Sequence, residues 1–171
     1  VNVWPDTLVK DYDGNTVMTN KEVFSSKTLI WAAGVTGNIP NGIEKEQVDR
    51  GRIVIDEYAR VKGLENVYAL GDVAVMKDEH YPQGLPMLGS VAQQQGEYLA
   101  KSIKAQHKGK NIKPFQYANK GTMATVGRNL AVVDIGKIHF GGVFAWLTWL
   151  LVHLMLLIDF RSRLIVLVNW T

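Results

Sequence analysis

Asn66-Val67-Tyr68-Ala69-Leu70-Gly71-Asp72 sets an apolar run of strand length directly before a Gly-Asp pair. The run predicts a buried strand over Val67 to Leu70. Ligands of open α/β sheets lie beyond the carboxyl ends of strands, which is where Gly71-Asp72 falls. Upstream, Leu29-Ile30-Trp31-Ala32-Ala33-Gly34-Val35 repeats the arrangement. It predicts a buried strand over Lys27 to Ala33 whose glycine end approaches another backbone or a ligand. Downstream, Val91-Ala92-Gln93-Gln94-Gln95-Gly96 falls in the opening turns of a helix. Pro86 suits its first turn, and the helix is expected to run to about Gln106.

Leu8 to Tyr12 and Asn15 to Thr19 flank Asp13-Gly14, predicting a hairpin on a type I′ turn. Arg52 to Asp56 alternates Ile53 and Ile55 with polar neighbours, as a surface strand does. Lys77 to Leu85 reads as a loop and Lys108 to Pro114 as a linker. Met123 to Val126 and Leu130 to Val133 read as paired strands around Gly127-Arg128-Asn129. Phe140 to Ile158 carries no formal charge. Its length matches a bilayer core of about 30 Å, so composition alone favours a transmembrane helix. Arg161 and Arg163 follow it, and Trp146, Trp149 and Trp170 suit headgroup depth.

Composition narrows the chemistry. There are 171 residues and no cysteine, which excludes thiolate nucleophiles, disulfide relays and Cys-ligated metals. No histidine or carboxylate grouping has metal-ligand spacing, so no metal is expected. His153, in an apolar stretch, reads as a hydrogen-bonded core residue in preference to a proton donor. The net charge of +3 is mild. The excess over Lys101, Lys104, Lys108, Lys110 and Lys113 reads as a solvated helix end and loop, with anionic lipid headgroups the alternative. No interleaved aromatics support nucleic-acid binding. Gly-x-Gly-x-x-Gly is absent, and Val1-Asn2-Val3-Trp4 begins abruptly in strand-like sequence. A piece of a longer protein is expected.

The three blocks, Gly127-Arg128-Asn129, the Phe-Gly-Gly-x-x-Ala-Trp-x-x-Trp run from Phe140 to Trp149, and Phe160-Arg161-Ser162-Arg163 together resemble the type II NADH dehydrogenases. These are single-subunit NADH:quinone oxidoreductases that do not pump protons. The resemblance covers nearly the whole chain. It implies an α/β fold, the C-terminal part of a two-dinucleotide-binding flavoprotein. Residues 1–35 would end the NADH domain and return to the FAD domain, 36–107 would continue the FAD domain, and 108–171 would associate with a membrane. FAD would be held by Gly34, Gly71, Asp72, Gly89, Ser90, Val91 and Ala92, with Asp72 on the ribityl chain. The α-helix N-terminus would face the flavin edge that becomes negative on reduction.

The family's Ala-Gln-x-Ala-x-Gln-Gln-Gly segment reads here Gly89-Ser90-Val91-Ala92-Gln93-Gln94-Gln95-Gly96. Ser90 thus replaces the first glutamine and Gln94 matches the second. Ser90, Gln94 and Trp149 are the quinone-side candidates. Trp146, Trp149, Leu150, Leu154, Leu157, Arg161 and Arg163 are the membrane-side candidates. The resemblance favours helices lying in the membrane surface, because one crossing would separate the tail from the flavin domain. It also implies the cytoplasmic face of a bacterial inner membrane, leaves room for a homodimer, and assigns NADH to a part outside this chain. Alone, these residues are expected to be inactive. The alternatives are a non-catalytic membrane-docking or oligomerising module, or another flavoprotein of the disulfide reductase type.

Overall fold

The computed structural model describes residues 2–170. It divides into two compact units on either side of the Thr36–Gly37 bond.

The first unit is an antiparallel sheet, in the order β1 (Val9–Tyr12), β2 (Thr16–Thr19), β3 (Val23–Ser25). The expected hairpin forms, with Tyr12 opposite Val17. Its turn is not type I′, which needs two successive positive φ angles. Within Asp13-Gly14-Asn15 only Gly14 is positive, at +95°. The Asp13 carboxylate accepts the N–H groups of Asn15 and Thr16, at 2.8 and 2.7 Å, beside the backbone bond from Asp13 N–H to the Thr16 carbonyl at 3.4 Å. Trp4 packs edge-on against Phe24 of β3 at 5.1 Å.

Lys27 to Ala33 does not form the predicted buried strand. Ile30 and Trp31 are 85% and 62% exposed. A strand requires a neighbour to take its alternate N–H and C=O groups, and none of the described residues pairs with this segment. Gly34 has no described atom within 4 Å of its Cβ position, so no other backbone among the described residues approaches it closely.

In the second unit β5 (Arg52–Val54) lies between β4 (Val48–Asp49), antiparallel, and β6 (Ala74–Val75), parallel. The predicted surface strand is therefore the centre of its sheet. Its alternation is real, but Ile53 and Ile55 point into the main core with Ala59, Val61, Ala69, Met76, Leu85, Val91 and Phe115. Return of the chain through β6 covers the edge that was expected to face water. Val67 to Leu70 is not a ladder strand either. Tyr68 makes one bridge to Arg60, Val61 N–H donates to the Val67 carbonyl and Ala69 N–H to that of Ala59. The left-handed conformations of Ala59 and Asn66, φ +62° and +59°, fold the segment too tightly for a longer ladder.

Helix α1 spans Gly89–Gln106, starting after the expected Pro86. Leu85 is buried and its N–H is tied to the Met76 carbonyl at 2.9 Å, so the chain leaves β6's end extended and turns helical only beyond Leu88. Tyr98 anchors the following linker: its ring meets Phe115 at 5.3 Å and its hydroxyl donates to the Lys113 carbonyl.

The predicted pair is found as β7 (Thr122–Thr125) and β8 (Ala131–Ile135), joined by β9 (Ile138–Gly142). The apolar run from Phe140 to Ile158 is thus divided. Its start belongs to β9, where pairing with β8 satisfies the backbone; Gly142, at φ +82°, ends the strand. Helix α2 (Val143–Leu156) and helix α3 (Phe160–Trp170) follow. No helix among the described residues is long and apolar enough to cross a membrane, contrary to the lean of composition alone. At the α2–α3 corner Arg163 donates to the carbonyls of Leu157 and Met155, at 2.8 and 3.4 Å. Asp159 accepts from the N–H and hydroxyl of Ser162. Each helix end thereby gains partners for groups it cannot bond internally.

Candidate functional site

Gly71–Val73 form one short 3-10 turn lying against α1. Gly71 has φ +72°, and a Cβ there would stand 3.3 Å from the Cβ of Ala92, so the closeness of turn and helix depends on glycine. The turn is latched from the helix side. Gln95, 2% exposed, accepts the Gly71 N–H through Oε1 at 2.7 Å.

From the sheet side Arg52 fixes the same turn. Its guanidinium donates to the backbone carbonyls of Asp72 (3.2 Å), Ala74 and Leu85 (3.0 Å). One side chain therefore joins the Asp72 turn, β6 and the segment leading into α1. Burial pulls the guanidinium's pKa below its ordinary value and the Asp72 charge acts the other way. Arginine remains a cation throughout the physiological range.

Asp72 is exposed, and its carboxylate carries no hydrogen bond among the described residues. Beside it α1 begins without a side-chain cap. Val91 and Ala92 donate to the Leu88 carbonyl, while the N–H groups of Gly89 and Ser90 precede the first helical bonds. A free carboxylate, unsatisfied amides at a positive helix end and glycine access thus share one locality. Such a set accepts from hydroxyls and donates to a carbonyl or anion.

A cleft of about 650 Å³ opens next to it, between the start of α1, the strand entry at Lys120–Met123, and α2. Ser90, Gln94, Lys120, Met123, His153 and Leu156 are among its walls. Ser90 Oγ lies 3.1 Å from the Tyr117 hydroxyl. The Gln94 amide is bonded at both ends: Nε2 donates to the Ala118 carbonyl and Oε1 accepts its N–H, both at 3.0 Å. Gln94 thus forms a wall, pinning the 115–121 segment to α1. On the far wall His153 stacks on Trp149 at 4.2 Å, and Trp149 stacks on Trp170 at 5.0 Å.

The structure therefore brings Gly71, Asp72, Gly89, Ser90, Val91 and Ala92 together and sets Ser90 and Gln94 on one cleft wall. Gly34 belongs to the other unit. Trp149 is one helical turn from the cleft-lining His153. Of the membrane-side candidates, Leu150 and Leu154 are buried: α2 lies along β7–β9 and turns that side inward. Trp146 and Trp149 pack against Ala131, Val133 and Ala145. Leu157 is half-buried, Arg161 is exposed, and Arg163 is engaged in the α2–α3 corner. The exposed apolar side is formed by Phe144, Leu147, Leu151, Met155, Ile158 and Phe160. Sequence reasoning missed Gln95, Arg52 and Tyr117. Gln95's one signal was its spacing of four from Val91, which puts a glutamine on the buried face.

Residues 1–96 match the pyridine nucleotide-disulphide oxidoreductase family and residues 119–171 the NDH2 C-terminal domain. Two relatives from Mycobacterium tuberculosis (strain ATCC 25618 / H37Rv) are the type II NADH:quinone oxidoreductases NdhA and Ndh. NdhA is 38% identical over 82% of this chain and 31% of its own length. Ndh is 36% identical over 95% of this chain and 35% of its own. An internal alternative NAD(P)H-ubiquinone oxidoreductase A1, mitochondrial, from Solanum tuberosum is 33% identical over 83% of the chain and 32% of its length. The chain spans about a third of the length of these relatives. Its fold is similar to a solved structure of NDH2 from Plasmodium falciparum in complex with NADH, with a TM-score of 0.78 at 18% identity, covering 96% of this chain and 50% of the other.

Proposed function

The chain belongs to the pyridine nucleotide-disulphide oxidoreductase family, as a type II NADH dehydrogenase, and on that premise we propose that it supplies the flavin-edge and quinone-side portion of an enzyme carrying electrons from NADH through FAD to a membrane quinone. The observation that carries this reading is the Gly71–Asp72 turn latched to the uncapped start of α1.

The residues present fit a flavin. Asp72 offers a free carboxylate to ribityl hydroxyls, Gly71 removes the Cβ that would hold α1 away, and the Gly89 and Ser90 amides stand ready for the pyrimidine carbonyl. Bound FAD would supply two-electron storage, accepting hydride and releasing it to the quinone. Arg52 and Gln95 keep Asp72 and α1 in register from opposite sides of the turn, so the site loses little freedom on binding. The cleft lined by Ser90, Gln94, Met123 and Leu156 receives the apolar acceptor, with mixed polar and apolar walls suited to a quinone ring. Residues 108–171 form the membrane-associating part. There the exposed side of α2 and α3, with Arg161, lies in the plane of the membrane surface.

Asp72→Ala in the complete protein tests the flavin half. Loss of a charge-assisted hydrogen bond worth about 1.5–3 kcal/mol leaves a protein that purifies pale and regains NADH oxidation when FAD is added. Undiminished flavin content after extensive dialysis contradicts the assignment.

A further inference from the structure

We infer that His153 donates a proton to the acceptor reduced in the α1–α2 cleft, through its Nε2 atom. The inference rests on the quinone reading of that cleft and goes beyond it by naming a proton source.

The ring's hydrogen bonding decides which nitrogen is available. Nδ1 lies 2.7 Å from the backbone carbonyl of Trp149, which can only accept, so Nδ1 carries a hydrogen. Nε2 is the atom at which the imidazole gains or loses its proton, and it has no hydrogen-bond partner among the described residues. The ring is held in place by this i−4 bond and by stacking on Trp149 at 4.2 Å, and it lines the cleft opposite Ser90 and Gln94. The core-residue reading of His153 accounts for Nδ1 and leaves Nε2 without a role.

No other side chain of the cleft is as well suited. The Gln94 amide is bonded at both ends to Ala118, and Ser90 and Tyr117 bond to each other. The charged groups facing His153 are Glu97 from α1 and Lys120 from the segment before β7, both on the cleft wall. Arg163 of α3 bonds to the last carbonyls of α2. Asp134 and His139 of the sheet pair with each other at 3.2 Å.

Quinone reduction to quinol takes up two electrons and two protons. A bound flavin would supply both electrons and one proton to one carbonyl oxygen, which would leave the opposite oxygen as a phenolate. The His153 Nε2–H bond breaks as the O–H bond forms there. The imidazolium becomes neutral imidazole and recovers its proton from water entering the open cleft.

The test uses the flavin-loaded complete protein, a water-soluble short-chain benzoquinone, and stopped-flow measurement of the two half-reactions from pH 5.5 to 8.5. Reoxidation by the benzoquinone should slow as pH rises. His153→Phe should slow it about a hundredfold at low pH, the lower range for general acid catalysis. His153→Gln, which keeps a donor without a titratable proton, should leave KM near the native value and flatten the pH profile. Flavin reduction by NADH should be unchanged in both. A native pH profile in His153→Gln would overturn the assignment even if His153→Phe failed to fold. Independently of turnover, the His153 Nε2 resonance in an imidazole ¹⁵N spectrum should move on adding the benzoquinone, and an unmoved resonance would overturn it too. If benzoquinone fails to reoxidise the native reduced flavin while a soluble dye succeeds, the cleft reading itself fails, a result distinct from both variant outcomes.

Discussion

Gln95→Leu probes the latch between the Gly71–Asp72 turn and α1. Leucine fills most of the glutamine volume, so the principal loss is the acceptor for the Gly71 N–H, now bonded at 2.7 Å. Both residues are buried, leaving the donor without access to water. An orphaned buried donor costs about 1–3 kcal/mol. Taking about 2 kcal/mol, and about 2–4 °C per kcal/mol for a protein of this size, Tm should fall by about 4–8 °C. If FAD binds only the latched turn, the same energy weakens its retention by up to about thirty-fold. Gln93→Leu is the control. Its exposed amide hydrogen-bonds, among the described residues, only to Glu97, at 3.3 Å, so the change should stay within about 0.5 kcal/mol. Thermal melts with and without added FAD report both quantities. Gln95→Leu with a native Tm and native flavin retention would refute the latch.

Two further outcomes are expected. The Asn15 N–H first, then that of Thr16, holds the Asp13 carboxyl below its ordinary range; because the folded value lies under the unfolded one, near about 3.9, this contribution is complete above it and lost as pH falls through the folded value. Protection factors of the Asn15 and Thr16 amides, taken relative to intrinsic exchange at each pH, should therefore fall in acid, and Asp13→Ala should remove that acid step. Replacing the exposed Leu151 and Met155 together by glutamine should reduce cosedimentation with phospholipid vesicles about tenfold or more, since each removes apolar surface worth about 1 kcal/mol; unchanged sedimentation would exclude this side of α2 as the docking surface.

Legibility followed the range of the interactions involved. α1, the β1–β2 hairpin and the β7–β8 pair were legible because their periodicity and turn residues are local. The strand expected over Lys27 to Ala33 was not formed, because an apolar run says nothing about whether a partner strand is present. The Phe140 to Ile158 run misled for another reason: Phe140 is taken by a hairpin ladder with Val133 of β8, a pairing that mean hydropathy does not record. At the site, Gly71 and Asp72 stood out because a Gly-Asp pair after an apolar run is a local pattern. Arg52 and Gln95 did not, since their partners lie 20 or more residues away and are backbone atoms, which leave no mark in side-chain chemistry. His153 was half-legible. Its apolar neighbours suggested the core, and only the Nδ1 bond to the Trp149 carbonyl shows which ring atom is left over.

On the proposed reading, this chain completes a flavin site that exchanges electrons with NADH and a quinone. The most direct test is the visible absorption spectrum of the complete purified protein during anaerobic addition of NADH and then a short-chain benzoquinone. Flavin bands that NADH bleaches and the benzoquinone restores are expected. A protein without flavin bands, or one whose bleached flavin the benzoquinone leaves unchanged, would contradict it.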